Sequence, residues 1–272
     1  MAALLLSFFL ASCRADAPIG AAEGNAGGHH RDVDRYVPSE ARASLATVLF
    51  VPGGGWVRDG RREDREVYKR VGRSIASHGF AAAVMSHRVG GETGYREQAG
   101  DVARVLASMF RRSSDTDRSA EGVFLAGFSS GAHLAALVAL DPRYLAAEGL
   151  SPSVLAGVIG ISGVYDLPAL AGSESARETL VPAFGPDPRA WVDASPVFHA
   201  GPGAPPFLLL AGEEEGAAMA GQAATLAEAL RLQGGRARVA ILPGRDHDSV
   251  VLDFGNEGDP VLAEIAAFLE VP

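Results

Sequence analysis

Short apolar runs and longer amphipathic stretches alternate along this chain. Thr47–Val51 (TVLFV), Phe80–Met85 (FAAAVM), Val123–Phe128 (VFLAGF), Leu155–Ile161 (LAGVIGI), Phe207–Leu210 (FLLL) and Ala237–Leu242 (ARVAIL) are nearly continuous apolar segments bounded by Gly or Pro. That is the pattern of strands buried on both faces of a parallel sheet. Between them the apolar positions take helical spacing. In Arg62–His78, residues Val67, Val71 and Ile75 recur every four positions as one stripe, and Tyr95–Arg111 repeats this with Ala99, Val102, Leu106 and Met109. Ser130–Leu140, Gly221–Gln233 and Pro260–Leu269 complete the helical set. Strands alternating with helices predict an α/β fold: a doubly wound, mostly parallel sheet with helices on both faces. Neither an internal repeat nor a second core is visible, so residues 45–272 read as one domain without a large separate cap.

The first 44 residues follow another pattern. Ala2 to Ala11 is an apolar run too short to span a bilayer, which needs about 20 residues, but of the length of a secretory h-region. It ends in Leu10-Ala11-Ser12-Cys13, and Cys13 is the single cysteine of the chain. The tetrapeptide resembles the lipobox of bacterial lipoproteins, in which the cysteine is lipidated and becomes the mature N-terminus. The resemblance implies a signal peptide over 1–13 and a domain held at a bacterial cell-envelope membrane, on its periplasmic or outer side, through a lipid on Cys13. No Lys or Arg precedes the run, unlike most export signals; without a working signal the chain would be cytoplasmic. Residues 14–44, rich in Ala, Gly, Asp and His and lacking apolar periodicity, read as a flexible tether.

Composition adds exclusions. An apolar share of 47% with 21% charged residues is that of a globular protein with a substantial core, and the net charge of −9 with no basic block argues against a nucleic-acid partner. A lone cysteine excludes an intrachain disulfide.

Chemistry is concentrated at three strand ends. Gly127-Phe128-Ser129-Ser130-Gly131 directly follows the VFLAGF run and opens the GAHLAALVAL helix. A GxSxG pentapeptide means little alone; at a strand-to-helix turn it describes a nucleophile elbow, with Ser129 exposed above the sheet near the positive end of the helix. The competing reading is a Gly/Ser-rich turn in which Ser129 caps the helix. Pro52-Gly53-Gly54-Gly55-Trp56 follows the TVLFV run. Three consecutive glycines are conformationally costly, and the use available is backbone N–H groups aimed at a developing negative oxygen. The donors of this oxyanion hole would be Gly54 or Gly55 together with Ser130, with Trp56 beside them as a substrate contact; the competing reading is a flexible turn.

Of the seven histidines, chain order sorts most. His29, His30, His78 and His87 precede Ser129. His133 lies one helical turn beyond it and reads as a structural group beneath the elbow, and His199, in a Pro-flanked segment, fits packing. His247, in the loop Pro243–Asp248 after the ARVAIL strand, is the expected base; a metal site at Asp246-His247-Asp248 lacks a second ligand cluster, so no metal and no cofactor is expected. The acid should follow the FLLL strand, where Glu213-Glu214-Glu215 stand together, Glu215 being the first choice and Glu213 the next. There is no GxxxxGK[ST] loop and no GxGxxG after a strand, so nucleotide chemistry is not supported.

Taken in order, PGGGW, Ser86–Val89, the helix with Asp101, GFSSGAH, Ile161–Leu167, Asp193–His199, APPFLLLAGEEE and LPGRDHDS resemble the α/β-hydrolase esterases of the hormone-sensitive-lipase-like and feruloyl-esterase-like (BD-FAE) groups, related to kynurenine formamidases. The similarity runs from about Val48 to Leu269. It implies an α/β-hydrolase fold, a nucleophile at Ser129, an acid at Glu215 and a histidine at His247. Three departures stand out. The family's histidine ahead of the triple glycine, which braces the loop, is Pro52 here; its usual Asp is Glu215; and of the strands before the oxyanion loop only Arg31–Pro38 remains.

The expected function is hydrolysis of small or aryl carboxylic esters through an acyl-enzyme, with a small-molecule ester as partner and pocket walls from Trp56–Glu63 and Ala171–Trp191. Two rivals remain open. One is an arylformamidase, peptidase or other acyl hydrolase on the same scaffold. The other is a catalytically impaired, hydrolase-like protein that binds an acylated partner, supported by Pro52 and by the glutamate in place of aspartate.

Overall fold

Seven strands make one sheet in the computed structural model, which describes residues 33–38, 46–89, 93–114 and 122–270. They are β1 (Val33–Tyr36), β2 (Thr47–Val51), β3 (Ala81–Met85), β4 (Val123–Phe128), β5 (Leu155–Ile161), β6 (Phe207–Gly212) and β7 (Ala237–Leu242), in the spatial order β1-β3-β2-β4-β5-β6-β7. β1 runs antiparallel to β3 and every other pairing is parallel. The helices are α1 (Gly60–Glu63), α2 (Arg65–Ser77), α3 (Tyr95–Ser114), α4 (Ser130–Leu140), α5 (Pro142–Ala146), α6 (Glu174–Phe184), α7 (Pro188–Ala194), α8 (Gly216–Leu232), α9 (Ser249–Leu252) and α10 (Pro260–Leu269).

Because successive strand residues face opposite sides, the apolar runs feed two cores. Leu49, Val51, Leu125, Phe207 and Leu209 pack with α3, α4 and α8; Val48, Phe50, Phe124, Ala126, Leu208 and Leu210 pack with α2, α9 and α10. α4 is apolar all round, and each of its residues is buried. A helix enclosed in this way is what the central strand order requires, since α4 follows the middle strand and is covered by α3 and α5. Each fully buried Val, Leu, Ile or Phe side chain contributes about 1.5–3 kcal/mol, so the central strand that carries the site, with every residue buried, is among the most firmly fixed parts of the molecule.

The strands lie where the apolar runs predict them, while the flanks differ in four places. β1 falls inside the stretch 14–44 read as a tether, within the Arg31–Pro38 segment that the family resemblance kept as strand. It is ordered by tertiary contacts: Asp34 pairs with the mostly buried Arg61 at 2.8 Å, and the Tyr36 ring lies where a side chain at Gly72 would collide with it. The helix predicted over Arg62–His78 is broken at Asp64, whose backbone leaves the helical region. α8 starts at Gly216, ahead of the predicted Gly221. Ala171–Trp191, read as a pocket loop, instead forms α6 and α7, capped by Ser173 and Asp187 and anchored through Phe184 and Trp191. The segment 1–13 expected to be a signal peptide, with Cys13, and the expected tether residues 14–32 and 39–44 lie outside the described residues.

Candidate active site

Ser129 sits where β4 turns into α4, at φ +53°, a left-handed conformation that a non-glycine residue holds only when its surroundings over-determine it. Those surroundings are backbone. Its N–H donates to the Ile161 carbonyl at 2.8 Å, and a Cβ at Gly127 or Gly131 would clash with the Gly131 carbonyl or with the Val51 and Pro52 carbonyls. Both glycines of GxSxG are therefore steric necessities, and the turn lifts the serine hydroxyl off the sheet.

His247 comes from the loop after β7. Its Nε2 lies 3.0 Å from Ser129 Oγ and its Nδ1 lies 2.6 Å from Glu215 Oε1, with the imidazole tilted against the Phe128 ring. Gly212 lets that loop approach the end of β6, since a Cβ there would strike the Arg245 carbonyl. Glu215 is nearly buried; its second oxygen, Oε2, accepts from Ser162 Oγ and from Gly212 N–H, each at 2.6 Å. Burial pushes the carboxyl up, but the hydrogen bonds from His247, Ser162 and Gly212 outweigh it and hold Glu215 below the usual carboxylate range. An ionised Glu215 requires a donor at Nδ1, which leaves Nε2 to accept the serine proton.

The neighbouring carboxylates do other work. Glu213 Oε2 accepts the Gly244 N–H at 3.0 Å and so fastens the histidine loop, and Glu214 is exposed. Ser162 had no separate signal in the sequence beyond the ISGVYDL segment. It is buried with φ +50°, just past the end of β5, and that turn aims its hydroxyl at Glu215.

The glycine loop runs opposite the serine. Gly54 and Gly55 both have positive φ, and a side chain at Gly54 would collide with the Arg58 carbonyl. The Gly54 carbonyl turns away to accept from Val57 and Arg58, while among the described residues none accepts from the Gly54 or Gly55 N–H. Ser130, as first residue of α4, has an N–H without an intrahelical acceptor. Gly54, Gly55, Ser129 and His247 line one cleft of about 300 Å³, together with Val67, Phe128, Val251 and Leu252 and the charged Arg58, Asp64 and Asp248. The walls thus come chiefly from α2 and α9.

Trp56, expected as a substrate contact, is a correction. It is only 5% exposed and is not part of the cleft. Its φ of +63° folds the side chain under the loop, where Nε1 donates to His133 Nδ1 at 3.1 Å and the ring packs on Phe184; its carbonyl accepts from Gln98. His133 in turn donates from Nε2 to the Ala194 carbonyl, and burial pushes its pKa down to about 4, so it is a neutral strut. His199 meets the Asp193 carbonyl, far from this chemistry.

Residues 33–230 match the BD-FAE family. Esterase LipC of Mycobacterium tuberculosis is 33% identical over 236 residues, which is 82% of this chain and 57% of LipC. The chain spans about half the length of the curated relatives it matches. Among solved structures, esterase B of Lactobacillus rhamnosis superposes with a TM-score of 0.71 at 22% identity, covering 88% of this chain and 81% of that one. A truncated carbohydrate esterase from gut microbiota gives 0.70 at 18% identity, over 88% and 89%. These likenesses place the mostly parallel sheet among α/β-hydrolases, and the match from β1 into α8 takes in both Ser129 and Glu215: the chain belongs to the BD-FAE family.

Proposed function

We propose that this protein is a serine carboxylesterase that hydrolyses small or aryl carboxylic esters through an acyl-enzyme. The observation that carries the reading is the unbroken hydrogen-bond chain Ser129 Oγ–His247 Nε2 and His247 Nδ1–Glu215, facing unspent glycine amides across one cleft. Ser129 attacks the ester carbonyl as His247 takes its proton, and the Gly54, Gly55 and Ser130 amides stabilise the oxyanion. His247 then protonates the leaving alcohol. Water, deprotonated by His247, releases the acid and restores Ser129. LipC and esterase B are named esterases, and LipM of Mycobacterium tuberculosis a probable carboxylic ester hydrolase, which supports this choice of bond.

The cleft volume supports the size class, since 300 Å³ is at the low end for small-molecule sites. Turnover of p-nitrophenyl esters is expected to be greatest for acetate to butyrate and for aryl esters, and to fall as the acyl chain passes about eight carbons. A rate that climbs with chain length would overturn the size class. One equivalent of covalent fluorophosphonate on Ser129 is expected, and none would leave the binding-protein reading standing. Faster turnover of N-formyl than of ester substrates would favour the formamidase alternative.

We also propose that Cys13 is lipidated and tethers the catalytic domain to the bacterial envelope, on the strength of the apolar run ending in Leu10-Ala11-Ser12-Cys13. In a Gram-negative host the full chain is expected to incorporate an alkyne palmitate analogue and to sediment with membranes, and Cys13→Ser to do neither. Unlabelled wild-type protein would overturn the tether.

A further inference from the structure

Pro52 leads into the glycine triplet without an N–H or a polar side chain, so whatever fixes the oxyanion loop must reach it from elsewhere. Three free glycines would otherwise sample many orientations of their peptide planes, and an oxyanion hole works only when its donors are already aimed. Gly53 shows how they are held. Its carbonyl accepts from the Gly60 N–H at 3.1 Å, and its N–H donates to Tyr68 Oη at 2.9 Å, in a buried hydrogen bond that bridges the loop to α2. Tyr68 is 4% exposed, its ring rests on Phe50, and its edge borders the cleft beside Ser129. Burial pushes the phenol well above its ordinary pKa, so the group stays neutral and can serve as acceptor throughout the working range.

We propose that Tyr68 is a positioning residue of the oxyanion hole, taking up the Gly53 N–H so that the Gly54 and Gly55 amides stay directed at the reacting oxygen. Its role rests on the esterase reading above. The physical argument concerns the alternatives open to the loop. A buried N–H without an acceptor is costly. If the phenol oxygen were absent, the Gly53 peptide plane would turn toward another partner, and with only glycines downstream the rotation would pass to the next two amides. Binding of the planar ester would change little, because it does not depend on those amides being aligned. The tetrahedral state would lose its donors. A purely packing role for the ring against Phe50 predicts no such division.

Tyr68→Phe keeps the ring and removes only the hydroxyl. In the full chain, kcat for p-nitrophenyl acetate is expected to fall about 10- to 100-fold with KM within about twofold. A trifluoromethyl ketone tests the same point without turnover: Ser129 Oγ bonds to its carbonyl carbon, the hydroxyl proton passes to His247, and the carbonyl oxygen becomes the oxyanion. Its affinity is expected to drop by the same factor as kcat, while the matching methyl ketone, which stays planar, binds as before. The inference is overturned by wild-type kcat in Tyr68→Phe, or by equal losses for both ketones. Should the variant not fold, hydrogen exchange of the Gly53 amide in the wild-type protein decides: slow exchange is expected, and exchange at the rate of an open loop overturns the inference. Full ester turnover by Ser129→Ala would instead overturn the esterase reading; an inactive Ser129→Ala beside a fully active Tyr68→Phe would overturn the Tyr68 assignment alone.

Discussion

Replacing Ser129 by alanine is expected to lower kcat for p-nitrophenyl acetate by about six orders of magnitude, as when the nucleophile of another triad is removed. The fold should survive. The elbow at φ +53° is held by the Ser129 N–H to Ile161 and by glycine contacts with neighbouring carbonyls, none of which uses the hydroxyl. The thermal midpoint is therefore expected within a few degrees of wild type. His247→Ala should cost a similar factor, and the double variant should be no slower than either single one, because a base without a nucleophile has nothing to deprotonate. Active-site titration, steady-state rates and a circular-dichroism melt on the three variants check this. If the two single losses multiplied in the double variant, Ser129 and His247 would be acting independently, and the proton path between them would be excluded.

What could be read in advance follows the physics of each signal. The strands β2, β4 and β5 match apolar runs residue for residue, because a strand buried on both faces leaves no polar position to blur its ends; β7 matches its run as well, although it is an edge strand with Arg238 and Ile241 exposed. β1 is the opposite case. VDRY carries two charges and lies at the sheet edge, and its ordering comes from Arg61 and Gly72, far along the chain. α6 and α7 have legible caps, Ser173, and Asp187 before Pro188, but their short, mixed faces lack a sustained stripe, and Pro182 interrupts the first. In the site, chain order and strand ends were enough to select Ser129 and His247. Position alone left Glu213 and Glu215 as neighbours, and the difference lies in Ser162, 53 residues away, which meets only one of them. Trp56 misleads for a related reason: an aromatic residue after a glycine run looks like a pocket wall, and only the positive φ at that position sends it inward. Tyr68 is masked by its own context, because beside Val67 and Val71 in an amphipathic helix it reads as one more core ring.

Glutamate 215 should prove the acid when the two carboxylates are neutralised separately. Oε2 of Glu215 faces two donors, and one of them, the Gly212 N–H, cannot reverse its role. In Glu215→Gln the amide oxygen is therefore drawn to that side and the NH₂ is turned toward His247 Nδ1. Nδ1 must then accept, which places the ring proton on Nε2, pointing at Ser129, and the histidine can no longer act as base. A loss in kcat of about 10³- to 10⁴-fold is expected, as for other triads with the wrong tautomer. Glu213→Gln keeps an acceptor for Gly244 N–H and should stay within a few-fold of wild type. Stability carries a second signature. The Glu215 carboxyl is held below its usual range in the folded protein, so its stabilisation is complete above the unfolded carboxylate pKa and is lost as pH falls through the folded value. Glu215→Gln should thus melt lower than wild type near neutrality, and the gap should close as the solution is made more acidic. Equal kinetic losses in the two variants, or a melting gap that widens in acid, would remove Glu215 as the group that orients His247.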